Sequence, residues 1–167
     1  GLEFRRVLFR SLKGIAGTDI DYDFASAGVR DYISFGLFGR LRYAVSYGGF
    51  LSKKSIQFIE MKHFNGNQTF VSTFELSKYN LLEYYTYSTA GHYLEAHAEH
   101  DFGGLFLNKI PLIRKLKLTE VAAVHYLRTD VLDNYMELSI GLEKLNLIRI
   151  DFSTAFSDGK KKIGRAH

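Results

Sequence analysis

Residues 134–156 read N-Y-M-E-L-S-I-G-L-E-K-L-N-L-I-R-I-D-F-S-T-A-F, two runs of apolar/polar alternation on either side of a short turn. Met136, Leu138, Ile140 and Leu142 share one side, and Tyr135, Glu137, Ser139 and Glu143 share the other. After the turn Ile148, Ile150, Phe152 and Phe156 oppose Arg149, Asp151 and Ser153. A period of two makes two faces only on a β-strand, where successive Cβ atoms point to opposite sides of the sheet. The stretch therefore predicts a β-hairpin with a greasy side and a charged side. Strands of about ten residues with this pattern suit a membrane-spanning barrel as well as a soluble one.

Working outward, Ala27, Val29, Ile33, Phe35 and Leu37 alternate with Ser26, Gly28, Arg30, Tyr32, Ser34 and Gly36, while Asp31 falls out of step on the apolar side. Phe38-Gly39 reads as a tight turn into residues 40–50, giving a second hairpin. Residues 12–17 read as the end of a strand and 18–23 as an acidic loop. Alternation returns at 92–103 and at 118–127, with loops at 128–133 and 157–161. Residues 51–91 carry aromatics, an N-G-N turn signal at 65–67 and a strand-like piece at 69–74, without sustained alternation. A connection that long is usually functional or folded on its own. In N-K-I-P-L-I-R-K-L-K (108–117), Pro111 is followed by apolar residues at helical intervals, which predicts one or two turns of basic amphipathic helix.

Seven strands follow, with connections at 38–39, 108–117 and 144–146 on one side and at 18–23, 51–91, 128–133 and 157–161 on the other. Short turns opposite longer loops predict an all-β, antiparallel up-and-down transmembrane β-barrel. The expectation is a C-terminal fragment of about seven strands, with one long external loop and a short helical insert; an eighth strand would restore an even count.

Composition agrees. A chain of 167 residues that is 46% hydrophobic is enough for one folded domain. Its aromatics are 14 Phe and 11 Tyr with no Trp, residues that favour strands, and Tyr also suits a membrane–water interface. No apolar run approaches the roughly 18 residues of a transmembrane helix, so any crossing is made by strands. The absence of cysteine excludes a disulfide framework and thiolate metal sites. The net charge of +4 sits in the ends: Arg5, Arg6 and Arg10 against Glu3 at the start, Lys162 and Arg165 at the finish, leaving 17 basic and 17 acidic residues in 12–161. G-L-E-F-R-R-V-L-F-R-S and K-I-G-R-A-H resemble translated adapter tails. The domain reading is therefore a tail at 1–11, a partial outer-membrane β-barrel domain at 12–161 and a tail at 162–167. The three apolar residues Val7, Leu8 and Phe9 fall short of the roughly 7–15 that a signal peptide needs.

Three motifs carry a family resemblance: H-D-F-G-G-L-F-L-N-K-I-P-L-I-R-K-L-K (100–117), F-G-L-F-G-R-L-R-Y (35–43) and E-L-S-I-G-L-E-K-L-N-L-I-R-I-D-F (137–152). Together they resemble the C-terminal barrel of a Bacteroidetes-type outer-membrane family of undefined function. Full-length members of that family carry an N-terminal carboxypeptidase-regulatory-like domain, and the barrel is similar to the surface-antigen superfamily of BamA and TamA assembly factors. The resemblance implies a non-catalytic integral barrel in the outer membrane of a Gram-negative bacterium, serving as a scaffold, a conduit or an assembly-related component. Two departures stand out: 51–91 lacks the V-R-G-[FY] motif of BamA-type barrels, and a C-terminal aromatic is missing.

Candidate chemistry centres on His92–His100, where Glu95, His97, Glu99 and Asp101 share a face at i, i+2 spacing. That spacing would allow a zinc site, although the helical H-E-x-x-H motif is absent. The preferred reading is a polar stripe facing a lumen, made of Glu95, His97, Glu99, Asp101, Glu137, Arg149 and Asp151 and balanced by Arg30, Arg42 and Arg149, because lumen-facing positions are polar in such barrels. Neither a metal nor a cofactor is expected. Ser139, Ser153 and His125 raise a third reading, an outer-membrane hydrolase, but no G-x-S-x-G elbow accompanies them and no catalytic residue is expected. The glycines do not keep G-x-G-x-x-G spacing.

Lys109, Arg114, Lys115 and Lys117 form a basic patch interleaved with aliphatics. Nucleic acid would want aromatics there. An interfacial segment is favoured, with Ile110, Ile113 and Leu116 dipping into lipid and the cations meeting phosphates; a simple plug or turn is the alternative. Tyr84, Tyr85 and Tyr87 suit an aromatic girdle or a self-packed loop. The lipid-facing set is Met136, Leu138, Ile140, Leu142, Ile148, Ile150, Phe152 and Phe156. The expected partners are the lipid bilayer and the remaining strands of the same barrel, and no small-molecule ligand is assigned. The competing architecture is a soluble β-barrel that binds a small apolar ligand such as a lipid, in which that same set points inward.

Overall fold

The computed structural model describes residues 3–11, 21–55, 61–64, 76–82, 88–130, 134–144, 148–157 and 160–165. They form one antiparallel sheet whose eight strands lie side by side in sequence order. The strands are β1 (Glu3–Ser11), β2 (Asp21–Ser34), β3 (Arg40–Ser55), β4 (His92–Asp101), β5 (Leu118–Thr129), β6 (Asn134–Lys144), β7 (Ile148–Ser157) and β8 (Lys160–Arg165). Such an up-and-down order follows from hairpins closing one after another. The sheet is open, since β1 pairs with β2 and β8 with β7 at its two edges. β1 lies within the first stretch set aside as a tail, and β8 begins at Lys160, just ahead of the second, and runs into it.

The β6–β7 register puts Met136 opposite Phe156, Ile140 opposite Phe152 and Leu142 opposite Ile150 on one side. On the other, Ser139 faces Ser153 and Glu143 faces Arg149. Apolar and opposite-charge cross-strand pairs each stabilise a sheet, so one register satisfies both faces and a one-residue slip would ruin both. Exposure alternates along all eleven residues of β6, and it is the charged side that is buried. The same inversion runs through β4 and β7, while β5 buries Val121, Ala123 and Leu127 beside His125 and Thr129 on that inner side. A sheet that buries the polar face of three strands while its apolar face stays open, and whose Arg149 on β7 reaches Glu99 on β4 at 2.7 Å, has curled around that inner face. Among the described residues an apolar cluster of Phe64, Tyr79, Leu82, Tyr93, Leu127, Tyr135 and Ala155 packs on that inner side.

Several sequence expectations are corrected. β3 continues to Ser55 instead of ending near residue 50. The long connection is not simply external, because Phe64, Tyr79, Leu82 and Thr89 are buried and its 76–82 segment bonds to the inner face of β5, β6 and β7. The basic insert is not an α-helix but two 3-10 turns, Leu107–Lys109 and Ile113–Leu116. Ile110, Ile113 and Leu116 are spaced by three, the period of a 3-10 turn, and Pro111 removes an amide that a longer helix would need. Arg30 is on the same face as the polar stripe, in the row of Ala44 and His97, but it is exposed and its carboxylate partner is Glu3 on β1, 3.6 Å away. The expectations for 12–17, 65–67, 69–74, Tyr84, Tyr85 and Tyr87, together with the centres of the 144–146 and 157–161 connections, lie outside the described residues.

The β2–β3 connection is a 3-10 turn, Gly36–Phe38, closed by the Phe35 amide donating to Gly39 O at 2.8 Å. Gly39 has φ +97°, and a Cβ there would lie 1.8 Å from the Asp101 carbonyl oxygen. Gly39→Ala is therefore expected to destabilise the fold by at least about 1–3 kcal/mol from backbone strain alone. An unchanged denaturant midpoint would refute this.

Candidate functional site

The buried polar face is organised around two centres. In the first, Arg149 on β7 donates from Nη1 to Glu99 Oε2 at 2.7 Å and from Nε to Asp151 Oδ1 and Oδ2 at 2.8 and 2.9 Å. Arg42 on β3 closes on the other Glu99 oxygen. One carboxylate on β4 thus ties β3 to β7. Buried charges persist only when paired in this way, and removing one partner of such a pair typically costs about 3–5 kcal/mol.

The second centre joins β4 and β5. His97 Nε2 lies 3.0 Å from Glu95 Oε1, and His97 Nδ1 lies 2.8 Å from His125 Nδ1. Of those two facing nitrogens one carries the proton and the other accepts it, so both rings cannot present N–H groups to each other. Ser46 Oγ donates to the remaining Glu95 oxygen at 3.2 Å. Glu95 and Glu99 therefore turn to different partners and do not converge on a shared point with His97. No cluster of three or more metal-ligating side chains is found among the described residues. Asp101 is only half-buried and accepts from the Gly103 amide, at the end of the stripe.

The long connection enters this face through Tyr79 and Asn80. Glu137 on β6 is fully buried and accepts three bonds: from Asn80 N at 2.7 Å, Leu81 N at 2.9 Å and Tyr135 Oη at 2.9 Å. Asn80 Nδ2 reaches Ser139 Oγ and Ser153 Oγ, each at 3.1 Å. The Tyr79 hydroxyl donates to Tyr126 O at 3.0 Å, and its ring packs on His97, His125 and Tyr135 with centroids 4.9–5.7 Å apart. Burial, reinforced by Glu95, pushes the Tyr79 phenol above its ordinary range, so it remains a neutral donor. The segment is latched, because its amides find acceptors that the strands alone would leave buried and unmatched.

Ser139 and Ser153 lie 2.8 Å apart, with Asn80 as their shared partner, whereas His125 turns to His97. His125 is thus engaged by His97, and the two serines by each other and Asn80. A cavity of about 470 Å³ remains between the connection and β2–β4, lined among others by Ser26, Ser46, Lys62, Phe64, Tyr93 and Glu95. This lining is mixed in polarity, unlike the fatty pocket that an apolar ligand favours.

On the outer face every member of the greasy set is exposed: Met136, Leu138, Ile140, Leu142, Ile148, Ile150, Phe152 and Phe156. Lys109, Arg114, Lys115 and Lys117 are exposed as well. Tyr79 and Asn80 were missed by the sequence reading. The available signal was Glu137, an acid on a stripe whose nearest hairpin partner is Ala155.

The family model described as "Family of unknown function (DUF5686) C-terminal domain" matches residues 5–142. The chain belongs to this family. The match takes in the latching segment, Glu137 and both centres on β4, and ends at Leu142 in β6, ahead of Arg149 and Asp151. No curated protein and no solved structure matches the chain.

Proposed function

We propose that this family domain is a non-catalytic integral β-barrel domain of an outer membrane, in which the open edges of its sheet find strand partners and the 76–82 segment of its own long connection is held inside. The inversion of burial carries the reading: Ile140 is 69% exposed while its neighbours Ser139 and Gly141 are buried. Apolar-out, polar-in alternation is what a barrel in lipid requires, whereas water would favour the reverse. The strands from β4 to β7 run 10–12 residues, close to the roughly 9–11 that cross a hydrocarbon core at a tilt. No helix is long and apolar enough to cross a membrane, which does not bear on strands. An inward-turned connection also fits the surface-antigen resemblance, here without the V-R-G-[FY] signature. A latched segment favours a scaffold or assembly-related role over an open conduit.

The test is to refold the full chain into phosphatidylcholine vesicles and compare boiled and unboiled samples on a gel after protease treatment. A heat-dependent shift together with a protected core is expected. A water-soluble, monodisperse chain that ignores the vesicles would overturn the proposal.

A further inference from the structure

In an up-and-down sheet the β2–β3 and β4–β5 connections lie at the same end. Here they touch: His100 Nε2 bonds to Phe38 O at 2.9 Å, and the rings of Phe35, His100, Phe102 and Phe106 follow one another at 4.4–5.9 Å. Residues 35–40 and 102–117 contain Arg40, Lys109, Arg114, Lys115 and Lys117 and no acid. The two neighbouring acids are engaged by backbone: Asp101 accepts from Gly103 N and Glu120 from Leu107 N. Between the cations, large apolar side chains stand in the open, with Leu37 at 89% and Leu112 at 81% exposure. The two 3-10 turns hold Ile110 and Leu116 exposed beside the basic side chains.

We infer that this end is a headgroup collar: it binds the phosphates of anionic phospholipids through the five cations while Leu37, Phe38, Leu112 and Leu116 enter the acyl boundary. The inference deepens the barrel reading and rests on it. Cations and exposed aliphatics on one surface gain from a charged interface with hydrocarbon beneath it. A nucleic acid would gain nothing from the aliphatics, which cannot stack on bases. The collar sits where the greasy belt of β6 and β7 ends, next to Leu142 and Ile148.

The experiment sediments the full chain with phosphatidylcholine vesicles and with equal mixtures of phosphatidylcholine and phosphatidylglycerol, at low and high salt. The variant carries Lys109→Gln, Arg114→Gln, Lys115→Gln and Lys117→Asn; asparagine is chosen at 117 because that residue has φ +51°. Wild type is expected to bind the anionic vesicles on the order of 100-fold more tightly than the neutral ones, with the preference lost at high salt and in the variant. A lysine-to-arginine variant at 109, 115 and 117 should keep it. Equal binding to both vesicles, or a preference that survives high salt in wild type, overturns the collar whether or not the variant folds. Heat-modifiable insertion in both vesicle types without any anion preference would sink the collar and leave the barrel standing. Anion-dependent binding without insertion would overturn the barrel reading and, with it, the collar's place at an acyl boundary.

Discussion

Ile140→Arg is expected to lower the stability of the chain in a bilayer by about 2–4 kcal/mol, while changing its stability in detergent-free buffer by no more than about 0.5 kcal/mol. The contrast is available because Ile140, at the middle of β6, points away from every buried group. An arginine there gives up only the cross-strand contact with Phe152, worth a few tenths of a kcal/mol or so; beyond that the surrounding medium decides its fate. Depth supplies the control. Ile148 is the first residue of β7 and lies opposite Lys144, so Ile148→Arg should cost only about 0–1 kcal/mol near an interface. Urea unfolding in vesicles and in buffer reads both. Small, equal effects in vesicles would remove the lipid from the account, and a large loss in buffer would show that the greasy face is buried against protein.

Glu137→Ala should release the latch. The substitution leaves Asn80 N, Leu81 N and Tyr135 Oη without the carboxylate, and an unmatched buried donor typically costs about 1–3 kcal/mol. A loss of about 3 kcal/mol in the closed segment corresponds to a rise on the order of 100-fold in cleavage governed by local opening. Lys78 places a tryptic site beside Tyr79, so the rate of cutting there measures the opening directly. Glu137→Gln keeps one acceptor oxygen and should fall between the two. Asn80→Ala removes the bonds to Ser139 and Ser153 but keeps both amide bonds, and should cut more slowly than Glu137→Ala. Equal tryptic rates in wild type and Glu137→Ala would mean that the segment is held by its ring contacts and not by the carboxylate.

The sheet was legible where each strand carries its own instruction. Along β6 and β7 the two-residue period sorts the side chains without help from other elements, and the stripe on β4 follows the same logic. Arg42 and Arg149 were also legible as counter-charges, because they sit on the polar phase of strands near Glu99. Arg30 keeps the polar phase but pairs with Glu3 across the β1–β2 edge, a partner that the strand pattern of β2 alone does not reveal. The latch was hidden for a different reason. Asn80 and Glu137 are 57 residues apart, and the grip on Glu137 comes from backbone amides, which are identical in every sequence. The insert was misjudged because a spacing of three fits an α-helix loosely and a 3-10 turn closely.

The order of the strands also sets an order in time. Each strand's neighbour in the sheet is its neighbour in sequence, so most pairings close over short stretches, the kind of contact that forms fast. The bonds from Asn80 to β6 and β7 span 57 to 73 residues and require those strands to be in place already. Closure over such lengths is entropically less favourable. Assembly therefore runs as a zipper followed by a docking step, and a probe at Tyr79 should report a slower phase than a probe on the β6–β7 hairpin.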